Sequence, residues 1–235
     1  MRITVASYNI HKAVGLDRRR DPERILAVLR EVDADVIALQ ECDRRFGARP
    51  SVIPRAALDD SPWRAVPLAV QPQSLGWHGN AILVRREVKV TDCAAVPLPT
   101  LEPRGAVCAD LSVEGTALRV VGMHLDISGL RRHHQVRTVL SHLHLREQRT
   151  PAVLMGDMND WSRNGRALRE FGPRSDGRGW QMVGVGHSFP ARRPVAPLDR
   201  IVISDDWHVA ACGVHRSALA AHASDHLPVW ATLTL

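Results

Sequence analysis

The feature that most constrains this chain is a series of short apolar runs with β character, each closed by a polar residue. They are Ile3–Ala6, Val36–Leu39, Ala81–Val84, Val107–Leu111, Leu118–Met123, Ala152–Met155, Arg200–Ile203 and Val229–Leu233. Each has strand length and lies between turn-forming residues. Many are apolar throughout rather than alternating, which a strand tolerates only when both of its faces are covered. Between the first two runs, Asp21 stands before Pro22-Glu23-Arg24-Ile25-Leu26-Ala27-Val28-Leu29-Arg30. A capping Asp, a Pro at the first helical position and apolar residues at helical spacing predict a helix there. A second helix is predicted over Leu130–Glu147, where Val136, Val139, Leu140 and Leu143 form an apolar stripe. Helices outside buried mixed sheets give an α/β (α+β) sandwich. A length of 235 residues suits one domain covering 1–235 and is short for two.

Three stretches read as loops: Arg44–Pro62, Val96–Arg104 and Asp160–Ala196, the last rich in Gly, Pro and Arg. No apolar run reaches the ~20 residues needed to cross a bilayer, so no transmembrane segment is predicted. Met1 is followed almost at once by a strand-like run and polar residues rather than by an export signal, and a cytoplasmic protein is expected. Cys42, Cys93, Cys108 and Cys212 lie far apart without a CxxC pair, which excludes a zinc knuckle or redox motif and predicts buried free thiols. The formal charge of +6 comes mainly from arginine. Its planar fork suits a phosphate-bearing partner, although charge alone informs association rather than fold.

The polar residues that close the apolar runs carry the functional signal. Asn9, Glu41, His124, Asp157, Asn159, Asp199, Asp225 and His226 each stand at or just beyond a strand end. Strands ending on one rim of a sandwich can aim several such groups into a single cleft. Taken alone, Gln40-Glu41 could be a solvated strand end, and Gly156-Asp157-Met158-Asn159-Asp160 a polar turn. Ser224-Asp225-His226 is sharper, since it sets a carboxylate beside an imidazole that titrates near neutrality.

In chain order, Ser7-Tyr8-Asn9-Ile10-His11, Leu39-Gln40-Glu41, Gly79-Asn80-Ala81-Ile82-Leu83, Arg104-Gly105-Ala106, His124-Leu125, Gly156-Asp157-Met158-Asn159, Leu198-Asp199-Arg200-Ile201 and Ser224-Asp225-His226 resemble the ordered motif set of the endonuclease/exonuclease/phosphatase superfamily. That superfamily includes DNase I-like nucleases, sphingomyelinases and inositol polyphosphate 5-phosphatases. The resemblance implies a four-layered α/β sandwich, with two central mixed β-sheets flanked by helices and an active site on one rim. His78-Gly79-Asn80, Asp160-Trp161 and Ser188-Phe189-Pro190 resemble a small bacterial branch of undefined substrate. Met158 stands where relatives usually carry Phe, and His124 where abasic-site endonucleases place Tyr, which makes abasic-site repair a poor fit.

A phosphodiester resists attack because its oxygens are negative, so a catalyst must neutralise charge, orient water and stabilise the departing oxygen. Hard oxygen donors without a cysteine set favour Mg²⁺ or Mn²⁺. Glu41 is the expected first metal ligand, supported by Asn9 and Asp225. By resemblance, Asp157 orients or deprotonates the attacking water and Asn159 donates to a phosphoryl oxygen. His226 contacts the phosphate with Asp199 fixing its tautomer, and His124 lies on the leaving-group side. Arg104 and Asn80 bind phosphate or brace the rim, and Arg132 and Gln135 anchor the second helix.

The expected substrate is a phosphodiester, first of DNA or RNA, as in a nuclease or DNA-end phosphodiesterase, with Trp63, Trp77 and Trp161 flanking the cleft. A phospholipid head group or small phosphoester is the alternative, although the sequence displays no amphipathic membrane loop. A catalytically silent phosphate-binding module is the third reading. Arg18-Arg19-Arg20, Arg44-Arg45 and Arg192-Arg193 fall in loops expected near the rim. His133, His134, His142 and His144 form no metal-binding spacing. A monomer is expected.

Overall fold

A computed structural model describes residues 1–44, 47–68, 70, 72–100, 104–146, 149–162, 164–172 and 179–235. In chain order its elements are β1 (Arg2–Asn9), α1 (Pro22–Val32), β2 (Val36–Gln40), α2 (Arg55–Asp59), β3 (Trp63–Ala65), β4 (Ala81–Arg85), β5 (Lys89–Pro97), β6 (Gly105–Val113), β7 (Thr116–His124), α3 (Gly129–His144), β8 (Ala152–Asp157), β9 (Trp180–Val183), β10 (Asp199–Ser204), β11 (His208–Val214), α4 (Ala220–Ala223) and β12 (Val229–Thr234). All eight strands and both helices expected from the sequence form.

Two six-stranded sheets result, ordered β11-β12-β1-β2-β4-β3 and β5-β6-β7-β8-β10-β9. Each is antiparallel except for one parallel pair, β1 with β2 and β7 with β8. A parallel pair needs a crossover, and a helix supplies it each time. α1 is fixed at its start by Asp21, whose Oδ1 accepts the Arg24 N–H at 3.0 Å. α3 is held by Gln135, whose Oε1 accepts the Asp126 N–H at 2.8 Å, and by Arg132, which donates to the Asp126 and Ile127 carbonyls.

Period-two alternation assigns each strand face to a layer. Ile3, Val5, Val36, Ala38, Val120, Val153, Met155, Ile201 and Ala231 fill the space between the sheets. Ala6, Tyr8, Ile37 and Leu39 point the other way, against Ile25, Leu26 and Leu29 of α1. Val121, Leu154 and Val202 pack beneath Val136, Val139 and Leu140 of α3. Helix, sheet, sheet and helix make the four layers. The sheets approach closely at Gly122, where an added Cβ would lie 3.1 Å from the Ala38 Cβ.

The structure corrects the sequence reading at the margins. α2 interrupts the expected loop Arg44–Pro62, β5 runs into the stretch Val96–Arg104, and β9 with a 3-10 turn at Leu168–Phe171 lies inside Asp160–Ala196. α3 ends at His144, and the expected end at Glu147 lies outside the described residues, as does Arg45. Cys42 and Cys108 are buried free thiols, but Cys93 and Cys212 are half-exposed because they sit on β5 and β11, at sheet edges. Among the described residues no helix is long and apolar enough to cross a membrane.

Candidate active site

The alternation that sends Val5, Val120, Met155 and Ile201 between the sheets continues to the strand ends. Asn9, His124, Asp157 and Asp199 share their parity, so they emerge between the sheets at one rim. Register aligns them further: His124 and Asp199 both stand opposite Asp157 on its two neighbouring strands. Asn9 crosses from the other sheet, its Nδ2 donating to Asp157 Oδ2 at 3.0 Å. Asn9 pairs with Gln40, and Glu41 leaves the strand there with a left-handed φ of 55°. Ser224 Oγ donates to the Asn9 carbonyl at 2.7 Å, which brings Asp225 and His226 to the same place.

Asp157 is the centre. Its Oδ1 accepts the Asn159 N–H at 2.9 Å, and its Oδ2 lies 3.3 Å from His124 Nε2 and 3.8 Å from His226 Nε2. His226 Nδ1 is 2.7 Å from Asp199 Oδ2, which also accepts from Ser188 Oγ at 2.6 Å. The bond orients the imidazole and leaves Nε2 toward Asp157.

Burial alone would raise the Asp157 carboxyl, but the His226 and His124 charges and the Asn9 hydrogen bond outweigh it and hold the group well below the ordinary carboxylate range. Burial wins at Asp199, where the nearby Asp157 charge adds to it, and that carboxyl lies above its usual value. Burial would lower the His226 imidazole, yet Asp199 and Asp157 raise it to about 10. The Asp199–His226 pair therefore keeps a proton through neutral pH while Asp157 stays ionised.

Glu41 remains partly open, with 22% of its side chain exposed. Burial raises its carboxyl, and His124, Lys12 and His11 more than offset that, leaving it lowered. The Lys12 ammonium lies directly against Glu41 Oε2. Asp225 is also partly open, 3.8 Å from His11 Nδ1. Asn9 Oδ1 accepts the His11 N–H at 3.1 Å and keeps a second lone pair. The oxygen-rich set of partly open Glu41 and Asp225 with buried Asn9 fits a hard divalent cation, and the Lys12 ammonium at Glu41 marks the place as one that attracts positive charge. Among the described residues the tightest ligand-type cluster is Asp157, Asp199 and His226, with atoms within 4.8 Å of one another. Those three are buried and His226 is already hydrogen-bonded to Asp199, which suits proton handling better than open coordination.

The remaining expected residues fall on the same rim with narrower parts. Arg104 Nη1 lies 2.7 Å from His124 Nδ1. Asn159 Nδ2 donates to the Leu125 carbonyl at 2.8 Å, which leaves one N–H for another acceptor. Asn80 spends its Nδ2 on the Trp77 and His78 carbonyls and holds its turn together. Among the described residues its Oδ1 is a buried acceptor without a partner, which a phosphate oxygen does not complement. Of the tryptophans expected at the cleft, Trp63 is instead fully buried, its Nε1 donating to the Ala34 carbonyl, because it starts edge strand β3 beneath the helices. Trp77 is half-buried beside His78, and Trp161 is 63% exposed.

Sequence reasoning missed Lys12, His11 as a neighbour of Asp225, and Ser188 as the donor to Asp199. Ser188 carried a signal, since Ser188-Phe189-Pro190 is one of the segments that resemble the small bacterial branch. Lys12 carried none, because it lies in a loop beyond the strand end. His11, Lys12, Ala13, Glu41, His78 and Asn159 all have left-handed backbone. Non-glycine residues held there cost about 1 kcal/mol or more each, and such strain gathers at functional sites.

Comparison with known proteins identifies the family and the fold. The sequence model of the Endonuclease/Exonuclease/phosphatase family matches residues 6–226. An endonuclease/exonuclease/phosphatase from Bacteroides vulgatus superposes with a TM-score of 0.79 at 17% identity, covering 100% of this chain and 99% of that one. D. rerio TDP2 in complex with a single-strand DNA product gives 0.75 at 16% identity, covering 100% and 99%. The mannosyl-6-phosphatase Bt3783 of Bacteroides thetaiotaomicron gives 0.75 at 20% identity, covering 99% and 100%. A search among curated proteins finds no match.

Proposed function

The chain belongs to the Endonuclease/Exonuclease/phosphatase family, and on that premise we propose that its rim hydrolyses a phosphodiester by attack of water with the help of Mg²⁺ or Mn²⁺. The observation that carries this reading is the buried His226–Asp199 pair facing Asp157, with the partly open carboxylate of Glu41 near enough to feel the His124 charge. Glu41, Asn9 and Asp225 would hold the cation, which when bound neutralises the phosphate and the departing oxygen.

The protein's own groups have distinct tasks in this reading. A carboxylate held as low as Asp157 is a weak base, so it aligns the attacking water through Oδ2 rather than removing its proton outright. His226 carries its proton at neutral pH and donates from Nε2 to a phosphoryl oxygen as charge builds there. Asp199, steadied by Ser188, holds that imidazole in place. The second N–H of the Asn159 amide is available to the same phosphate. His124, with Arg104 Nη1 against both of its ring nitrogens, stands toward the leaving group.

Two substrates carry such a diester. Net charge and the likeness to TDP2, which binds a single-strand DNA product, favour a nucleic acid strand. Against it, one exposed tryptophan is a meagre stacking platform, because single-strand binders use several aromatic rings in succession. The phospholipid reading gains from exposed Ile127 and Val195 on loops that leave this rim and from exposed Leu130 in the first turn of α3. Turnover of a chromogenic soluble phosphodiester, measured with Mg²⁺ and with EDTA, tests the reaction. Activity should require the metal and fall by about a hundredfold or more in Glu41→Ala and His226→Ala. Equal rates in all samples overturn the proposal.

A further inference from the structure

Large apolar side chains exposed on a folded surface carry information when they gather. Among the described residues Ile127, Leu130, Trp161 and Val195 are 71%, 60%, 63% and 57% exposed. Ile127, Trp161 and Val195 lie on three loops, after β7, after β8 and before β10, which are consecutive strands of one sheet, and Leu130 lies in the first turn of α3, directly after the first loop. Contacts join the loops into one surface. Arg132 donates to the Ile127 carbonyl and lies 3.8 Å from Asp160 on the next loop. Trp161 meets Phe189 edge-on at 6.0 Å, and the Val195 N–H donates to the Phe189 carbonyl. Phe189 then packs 4.8 Å from the His226 ring. The apolar surface therefore reaches within one aromatic ring of the candidate catalytic imidazole.

The charge on these loops has one sign. Arg192 and Arg193 are exposed, while the two carboxylates of the same loops, Asp126 and Asp160, are buried and bonded to Ser128 and Ser162. No other acidic residue occurs in 125–137, 158–167 or 184–198. An aliphatic and tryptophan tip ringed by arginines matches the bilayer interface, where apolar side chains enter the acyl boundary, Trp sits at head-group depth and basic residues meet phosphates. A nucleic acid strand would engage Trp161 and the arginines but leave Ile127, Leu130 and Val195 without a partner.

We propose that the surface formed by Ile127, Leu130, Trp161 and Val195, with Arg192 and Arg193, docks this protein on an anionic lipid bilayer. The substrate is then the head-group phosphodiester of a membrane-resident phospholipid. The docking stands on the surface alone, and the substrate rests on the phosphodiesterase reading above.

The test uses the full chain with vesicles of phosphatidylcholine alone, vesicles of phosphatidylcholine with phosphatidylglycerol, and a single-stranded oligonucleotide. Cosedimentation is expected with the phosphatidylglycerol vesicles and not with the neutral ones. Affinity should fall by about tenfold or more in Ile127→Ser/Val195→Ser and in Arg192→Gln/Arg193→Gln. Both variants should turn over the soluble phosphodiester at the wild-type rate, which shows them folded and separates docking from chemistry. Absent vesicle binding overturns the docking, as does binding that the apolar variant leaves unchanged. Oligonucleotide binding weakened by the arginine variant, without vesicle binding, assigns the surface to nucleic acid and overturns it too. Vesicle binding without any soluble turnover keeps the docking and sinks the hydrolase reading instead.

Discussion

His226 and Asp157 hold opposite charges 3.8 Å apart in a buried place, and each makes the other's charge possible. The linkage has a definite sign. The folded imidazole titrates near 10, above the value of about 6.5 for an unfolded chain. Its contribution to stability is therefore complete below pH ~6.5 and is lost as pH rises through 10. In EDTA, the unfolding free energy of the wild type should decline across that window, while His226→Gln gives a flatter curve by urea titration at each pH. At Ser188 the hydroxyl is a neutral partner for a buried carboxylate. Ser188→Ala should cost about 1–3 kcal/mol in urea unfolding and lower kcat more than it raises KM, since Asp199 loses the bond that steadies His226. Most of these residues were legible in the sequence because they close apolar runs. Lys12 was not, because a loop with left-handed backbone at three successive residues obeys no strand periodicity.

At the level of elements, the strands visible in the sequence are the central ones. β3, β5, β9 and β11 were missed, and they are the four outer strands of the two sheets. A central strand is covered on both faces and reads as a run of Val, Ile and Leu, whereas an edge strand such as Lys89–Pro97 or His208–Val214 is half solvated and mixes Asp, Thr, His and Gly among its apolar residues. The helices were legible for another reason, since Asp21 and Pro22 announce one of them locally. Asp21→Ala should remove the cap and cost about 1 kcal/mol by thermal unfolding with the soluble turnover unchanged. The close approach at Gly122 behaves oppositely. Gly122→Val should cost about 1–3 kcal/mol and depress kcat well beyond what the lost stability explains. Forcing the sheets apart beneath the rim pulls Asn9 away from Asp157.

Across the whole molecule, the four-layer plan follows from alternation and from two helix-linked parallel pairs, while the cleft follows from bringing both sheets to one rim. A cation held by the folded rim and not by the unfolded chain stabilises the fold by mass action. Mg²⁺ should therefore raise the thermal midpoint of the wild type and leave that of Glu41→Ala unmoved, a readout independent of turnover. The hydrogen bond between Asn9 and Asp157 joins residues 148 apart in the chain. During refolding, local helices and hairpins can recover their circular dichroism long before two such distant points meet. Regained turnover in a stopped-flow renaturation should lag behind the ellipticity signal, so that catalysis itself becomes the clock for the final docking of one half of the protein onto the other.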